Sequence, residues 1–97
     1  MKQKTIDDIL SQEGYSSGGA FLADSVYCLA LAKVEQYRAE SEFFEKKHGT
    51  ELAEFRQFLR SVKGREDFSA EEDLEDWEFA GVALRWWEEK VKELKRA

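Results

Sequence analysis

Apolar side chains recur along this chain with the period of a helix. Ala23, Tyr27, Ala30, Val34, Tyr37, Ser41 and Phe44 follow one another at spacings of 4, 3, 4, 3, 4 and 3. Such spacing sets them along one side of an α-helix as a heptad-like seam. Leu22, Val26, Leu29 and Leu31 add apolar bulk to the first half of that seam, which predicts fuller burial there. A shorter stripe follows in Leu52, Phe55, Leu59 and Val62, with Phe58 beside it. The most regular stripe comes last: Trp77, Ala80, Leu84, Trp87, Val91 and Leu94, at spacings of 3, 4, 3, 4 and 3. These six fall within an arc of about 100° on a helical wheel and are assigned to the core. No stretch alternates with a period of two for long enough to be a strand, so the chain reads as all-α.

Start and stop signals separate the stripes. "KTIDDIL" opens with Thr5 as a prospective N-cap and Asp8 three residues on, and the helix it starts can hardly outlast Ser11. "QEGYSSGGA" then reads as a flexible joint. Residues 1–19 are thus an N-terminal arm with its joint, and residues 20–97 one helical domain. An unbroken helix is expected from about Ala20 to His48, with Gly49 available for the left-handed position after it. Thr50 is a prospective cap for the next helix and Gly64 its end. "SAEE" supplies a capping box, Ser69 with Glu72, for a final helix from about Ala70 to Lys95. Acidic residues crowd its first turns and Lys90, Lys92, Lys95 and Arg96 its last, as the helix dipole favours.

At 1.5 Å per residue each long helix reaches roughly 40 Å, against about 35 Å across for a compact domain of this length. The expected architecture is therefore an elongated antiparallel helical hairpin of two long helices, with a shorter middle helix and a short N-terminal helical arm. The middle helix, roughly 20 Å long, covers only half of the pair. The final helix then carries more apolar surface than one packing direction uses. Phe79, Val82 and Trp86 lie nearly opposite its seam, with Ala83 bridging the two arcs. Glu78, Arg85, Glu88, Glu89 and Lys92 share the remaining face, where Glu88 and Lys92 stand at i,i+4. Left bare, the second stripe would expose roughly 400 Å², and covering it is worth about 10 kcal/mol before entropy costs. Either the middle helix or the arm covers it, or a second protein chain does, identical or different. Phe79, Val82 and Trp86 are accordingly the candidate partner-binding residues.

Composition narrows the partners. The chain has 97 residues, of which 37% are charged and 42% hydrophobic, too apolar for disorder and too charged for membrane insertion. Its longest apolar run, in "VYCLALAKV", is far short of the roughly 20 residues that span a bilayer. "MKQKTIDDILSQEG" turns polar and acidic too soon for a signal peptide. The single cysteine, Cys28, cannot form an internal disulfide and suits a reducing cytoplasm, the expected location; it is expected to be a buried packing residue. A net charge of −6 repels phosphate backbones, so nucleic acid is disfavoured, and it draws a basic protein instead. Arg56, Arg60, Lys63 and Arg65 form a local exception that the preference of helix C-termini for cations explains.

Chemistry-bearing motifs are few. Glu45 and His48 make the E-x-x-H spacing that ferritin-like di-iron proteins use twice, but His48 is the only histidine and ends its helix. A symmetric dimer could supply a second copy; the plainer role is a histidine that complements the helix dipole. "SSGGA" lacks the lysine and spacing of a phosphate loop. "RWW" fits core packing better than base stacking in so acidic a chain. The carboxylates Glu71, Glu72, Asp73, Glu75 and Asp76 are explained by their place at a helix start. No nucleophile–base pair can be assembled. The chain therefore reads as non-enzymatic, with no cofactor and no metal.

"EQYRAESEFFEKKHGTELAEF" followed by "EDFSAEEDLEDWEFA" resembles a loose group of small acidic helical prokaryotic proteins treated as antitoxins of toxin–antitoxin pairs. The resemblance runs from roughly Tyr37 to the C-terminus. It lies in the Phe-Glu-Lys-Lys-x-Gly helix end (Phe44 to Gly49), Phe55, and the Glu-Asp-x-x-x-Trp-Glu stretch (Glu72 to Glu78). It implies a protein that neutralises a basic, nuclease-like toxin by binding it, with no catalytic residues to carry over. Operator binding, common among antitoxins, is not expected here, because no helix-turn-helix with a basic recognition helix is visible. The alternatives are a self-assembling structural homodimer in which Phe79, Val82 and Trp86 meet their symmetry mates, and a ferritin-like di-metal protein using Glu45 and His48.

Overall fold

Among the residues that the computed structural model describes, 2–62 and 67–96, there are four helices and no strand. They are α1 (Gln3–Gln12), α2 (Gly18–His48), α3 (Leu52–Ser61) and α4 (Phe68–Arg96). The hairpin of two long helices, α2 and α4, with a short α3 and a short N-terminal α1, is as the apolar periodicity predicts. The molecule measures 66 × 29 × 19 Å.

Local chemistry sets the ends of each helix. Ser17 lies in extended backbone and its Oγ accepts from the Ala20 N–H at 3.1 Å, so α2 begins two residues earlier than Ala20, taking Gly18 and Gly19 into its first turn. Gly49 closes α2 in the left-handed region, φ 65°, donating its N–H to Glu45 O at 2.8 Å. Three sequence-based caps are corrected. Thr5 falls inside α1, whose N-cap residue, Lys2, makes no side-chain cap. Thr50 Oγ1 donates to Glu54 Oε2 at 2.6 Å, and Glu51 holds the N-cap position of α3 without a side-chain bond. Asp67, not Ser69, caps α4: its Oδ1 accepts from the Ala70 N–H at 3.1 Å. An aspartate one residue before Phe68 competes directly with the serine one residue after it, and its position lets the helix start a turn-fraction sooner. The expected helix end at Gly64 lies outside the described residues.

The expected joint is a turn with its own contacts. Gly14 takes φ 88°, and the Tyr15 N–H donates to Leu10 O at 2.8 Å. The Tyr15 ring stands edge-on to Phe21, with centroids 5.2 Å apart, and its hydroxyl donates to Asp24 Oδ2 at 2.5 Å. That hydrogen bond, with burial and the Asp24 charge, pushes the Tyr15 hydroxyl above its ordinary value.

The core is thin. Its buried members among the described residues are Ala30, Val34, Phe55, Trp77, Ala80 and Val91. Every residue of the final seam, Trp77 through Leu94, is buried or half-buried, and so is the α2 seam from Tyr27 to Phe44; Ala23 is exposed. At the α3 end, Trp77 is 1% exposed and stacks on Phe44 (centroids 5.9 Å, 22°), with Phe55 at 5.6 Å. Toward the other end the two helices meet through small residues, Ala30, Val34 and Val91, flanked by Tyr27, Leu84, Trp87 and Leu94.

The largest departure from expectation is in the first half of α2. Leu22, Val26, Leu29 and Leu31 are all exposed rather than buried, Leu22 at 63%. A two-helix layer offers each helix one neighbour, and the seam residues Tyr27, Ala30 and Val34 already occupy it. α3 packs against α4 through Phe55 and Trp77 at the opposite end of the hairpin, and among the described residues no third helix buries these four side chains.

Candidate docking surface

Phe79, Val82 and Trp86 stand on the outward side of α4, exposed at 63%, 59% and 54%. Neither α3 nor α1 covers them. They have contacts at their edges: Phe79 meets Tyr37 edge-on at 5.9 Å, and Trp86 meets Trp87 edge-on at 4.9 Å with Lys90 Nζ 5.0 Å above its ring. A half-exposed indole braced by a neighbouring ring and a cation is held in one orientation while keeping a free face.

The surface is wider than the stripe on α4. One groove of about 560 Å³ opens between α2 and α4, lined by Tyr37, Phe43, Phe44 and Phe79 with Glu40 and Asp76 at its edge. A second, of about 370 Å³, opens between the same helices further along, lined by Val26, Leu29, Trp86 and Trp87 with Lys90 and Glu93. Leu22, Val26, Leu29, Lys33, Gln36, Glu40 and Phe43 recur at i+3 and i+4 and so share one side of α2. Phe79, Val82, Trp86, Lys90 and Glu93 do the same on α4. The flank of the hairpin is thus apolar at both ends, with Lys33 and Gln36 in between, joined by a 3.3 Å hydrogen bond. Sequence reasoning missed Leu22, Val26, Leu29 and Phe43 as surface residues. The available signal was register: 22, 26 and 29 run one position ahead of the seam 23, 27 and 30.

The other flank is polar. Arg38 pairs with Glu35 and reaches Glu88 Oε2 at 4.0 Å, while Arg56 Nε lies 3.5 Å from Glu78 Oε1. Glu88 therefore faces Arg38 instead of forming the expected pair with Lys92, because a partner across the helix gap lies closer to its carboxylate than one on its own surface. Of the basic cluster, Arg56 and Arg60 lie on α3; Lys63 and Arg65 are outside the described residues.

His48 and Glu45 do not converge on a common site. Glu45 is exposed, whereas the His48 ring stacks on Phe55 at 4.1 Å and its Nε2 lies 2.8 Å from Asp73 Oδ2. Lys47 Nζ approaches the same oxygen at 2.6 Å. The hydrogen bond from Lys47, foremost, and that from His48 hold the Asp73 carboxyl below its ordinary value against the opposing effect of burial. An ionised Asp73 can only accept, so His48 Nε2 carries the proton and donates. The arrangement latches the end of α2 to the start of α4 and buries the edge of the Trp77 cluster. No group of three or more His, Cys, Asp or Glu among the described residues is arranged to hold a metal ion. Cys28 is exposed, not buried as expected, because it points away from the single seam α2 uses. No helix among the described residues is long and apolar enough to cross a membrane. Comparison with protein-family models, curated proteins and solved structures finds no match to this chain.

Proposed function

We propose that this chain is a non-enzymatic protein-interaction module whose working surface is the apolar flank of the α2–α4 hairpin. One observation carries this reading: Phe79, Val82 and Trp86 are bare, and they are continued across the groove by Val26, Leu29 and Phe43. Large apolar side chains left exposed over two helices, rimmed by polar ones, are the kind of surface that marks an interaction site. Rigid aromatics beside half-formed grooves are the side chains that anchor protein interfaces.

The antitoxin-like character of "EKKHG" and "EDLEDWE" directs the module toward a basic toxin, which it would neutralise by stoichiometric binding. The net charge of −6 supports that direction, since carboxylates accelerate encounter with a cationic surface. Co-expression with the product of the neighbouring gene tests it. The expected result is a complex that relieves toxicity and survives purification. A neighbouring product that neither binds nor harms the cell removes the antitoxin reading. The interaction module itself is tested separately, by charged substitution on the flank: Trp86→Glu should leave the helical signal intact and abolish association.

A further inference from the structure

We infer that the occupant of the apolar flank is a second copy of this chain, docked antiparallel so that two hairpins close into a four-helix bundle. The inference rests on the reading of the flank as a docking surface and assigns what covers it; a basic partner would then meet the outward carboxylates of the pair.

Area is the first argument. A folded monomer of 11.3 kDa is expected to expose about 5,700 Å², whereas this chain exposes 7,604 Å². The surplus of about 1,900 Å² per chain lies in the range that obligate homodimers remove from each subunit, roughly 1,000–2,500 Å². The radius of gyration is 20.5 Å, against about 12.5 Å for a compact chain of this length. A peptide segment laid in one groove would remove only part of that surplus. A second hairpin, with two helices as long as the first, spans the flank from end to end.

Shape is the second. A two-fold axis perpendicular to the long axis of the hairpin would bring each end of the flank against the other end of its mate. Its two ends each present an aromatic beside a groove: Phe79 and Phe43 at the α3 end, Trp86 with Val26 and Leu29 at the other. Antiparallel docking seats the aromatics of one copy in the opposite groove of its mate, the isologous pattern of a two-fold dimer.

Charge selects the direction. The α3 end of the flank carries Glu40 and Asp76 with no cation in its groove. The far end carries Lys90, balanced by Glu93 at 3.0 Å, and Lys33 lies between the two grooves on the same side of α2. Parallel docking would bring four carboxylates together at one end, which repel as they lose water. Antiparallel docking separates them into two pairs and places Lys90 and Lys33 of each copy near Glu40 and Asp76 of the other.

The experiment is sedimentation equilibrium and light scattering on the full chain, with circular dichroism as the check on folding. The wild type should run at twice the 11.3 kDa chain mass. Trp86→Glu should run as a helical monomer. Trp86→Ala should weaken the dimer by about 30-fold for each copy, so roughly 1,000-fold for the symmetric pair. Lys90→Glu and Asp76→Lys should each weaken it, and the two together should recover affinity, since only antiparallel docking brings these positions face to face. A dimer that Trp86→Glu leaves intact would place the interface elsewhere and overturn the proposal. A dimer broken by Trp86→Glu but not recovered by the double charge reversal would overturn the antiparallel arrangement. A helical monomer that retains a basic protein through Trp86 would refute the second copy while sparing the interaction module. A helical monomer that retains nothing would remove both.

Discussion

Trp77→Ala should cost about 3–5 kcal/mol of folding stability. Trp77 is 1% exposed and, among the described residues, the one large side chain buried so completely. From α4 it touches both other helices of the cluster at once: Phe44 and His48 of α2 at 5.9 and 6.0 Å, and Phe55 of α3 at 5.6 Å. A tryptophan side chain removes up to about 250 Å² from water, or about 6 kcal/mol at 25 cal/mol per Å². The residual surface of alanine and a compact unfolded chain lower this toward the stated range. Trp86 is more than half exposed, so Trp86→Ala should cost the isolated chain only about 1–2 kcal/mol by the same arithmetic. A chain of this length has roughly 5–15 kcal/mol in total, so the loss of Trp77 removes a large share of it. Urea titration followed by circular dichroism, at the lowest workable chain concentration, reads both values. With a slope of about 1.5 kcal/mol per M, the Trp77→Ala midpoint should fall by about 2–3 M. Equal midpoints for the two alanine variants would refute the claim that the fold hangs on the aromatic cluster at the α3 end.

The Asp73 latch gives stability a pH dependence. Its carboxyl titrates below the ordinary aspartate value in the folded chain, so its contribution is complete above the unfolded value and is lost as pH falls through the depressed folded one. Asp73→Asn should therefore lower the urea midpoint at pH 6 and flatten its slope between about pH 5 and 2; a variant with the wild-type slope would contradict the latch. Asp67→Ala should cost about 1 kcal/mol as the loss of an N-cap, whereas Ser69→Ala should shift the midpoint by only a few tenths. Gly49→Ala should cost about 1–2 kcal/mol, seen as a lower melting temperature. The left-handed φ of 65° is its only cause, since a Cβ there would meet nothing within 4 Å.

The seams of α2 and α4 were legible because each uses one neighbour and repeats cleanly at 3 and 4. So were the Gly49 stop and the outward stripe of Phe79, Val82 and Trp86. The helix starts were less legible: at α4, Asp67 and Ser69 are both good caps two residues apart, and only backbone geometry decides between them. The wrong expectation for Leu22, Val26 and Leu29 has a different cause. Periodicity reports that a face is apolar, not whether the chain has anything left to cover it. Counting elements would have helped, since α3 has ten residues and lies at the far end of the hairpin. The Lys47–His48–Asp73 contact was hidden because it joins residues 25 positions apart, with no local pattern to announce it.

The hairpin is held very differently at its two ends. At one, four rings and an ionic latch clamp α2, α3 and α4 together; at the other, Ala30, Val34 and Val91, flanked by half-buried Tyr27, Leu84, Trp87 and Leu94, keep two rods side by side with no third helix against them. Such a molecule behaves as tweezers, stiff at the pivot and compliant at the tips. Backbone amides near Phe44 and Ala80 should exchange with solvent slowest, and those near Ala23 and Leu94 fastest. The groove at Phe79 is consequently preset, while the groove at Trp86 can widen or narrow to fit whatever enters it.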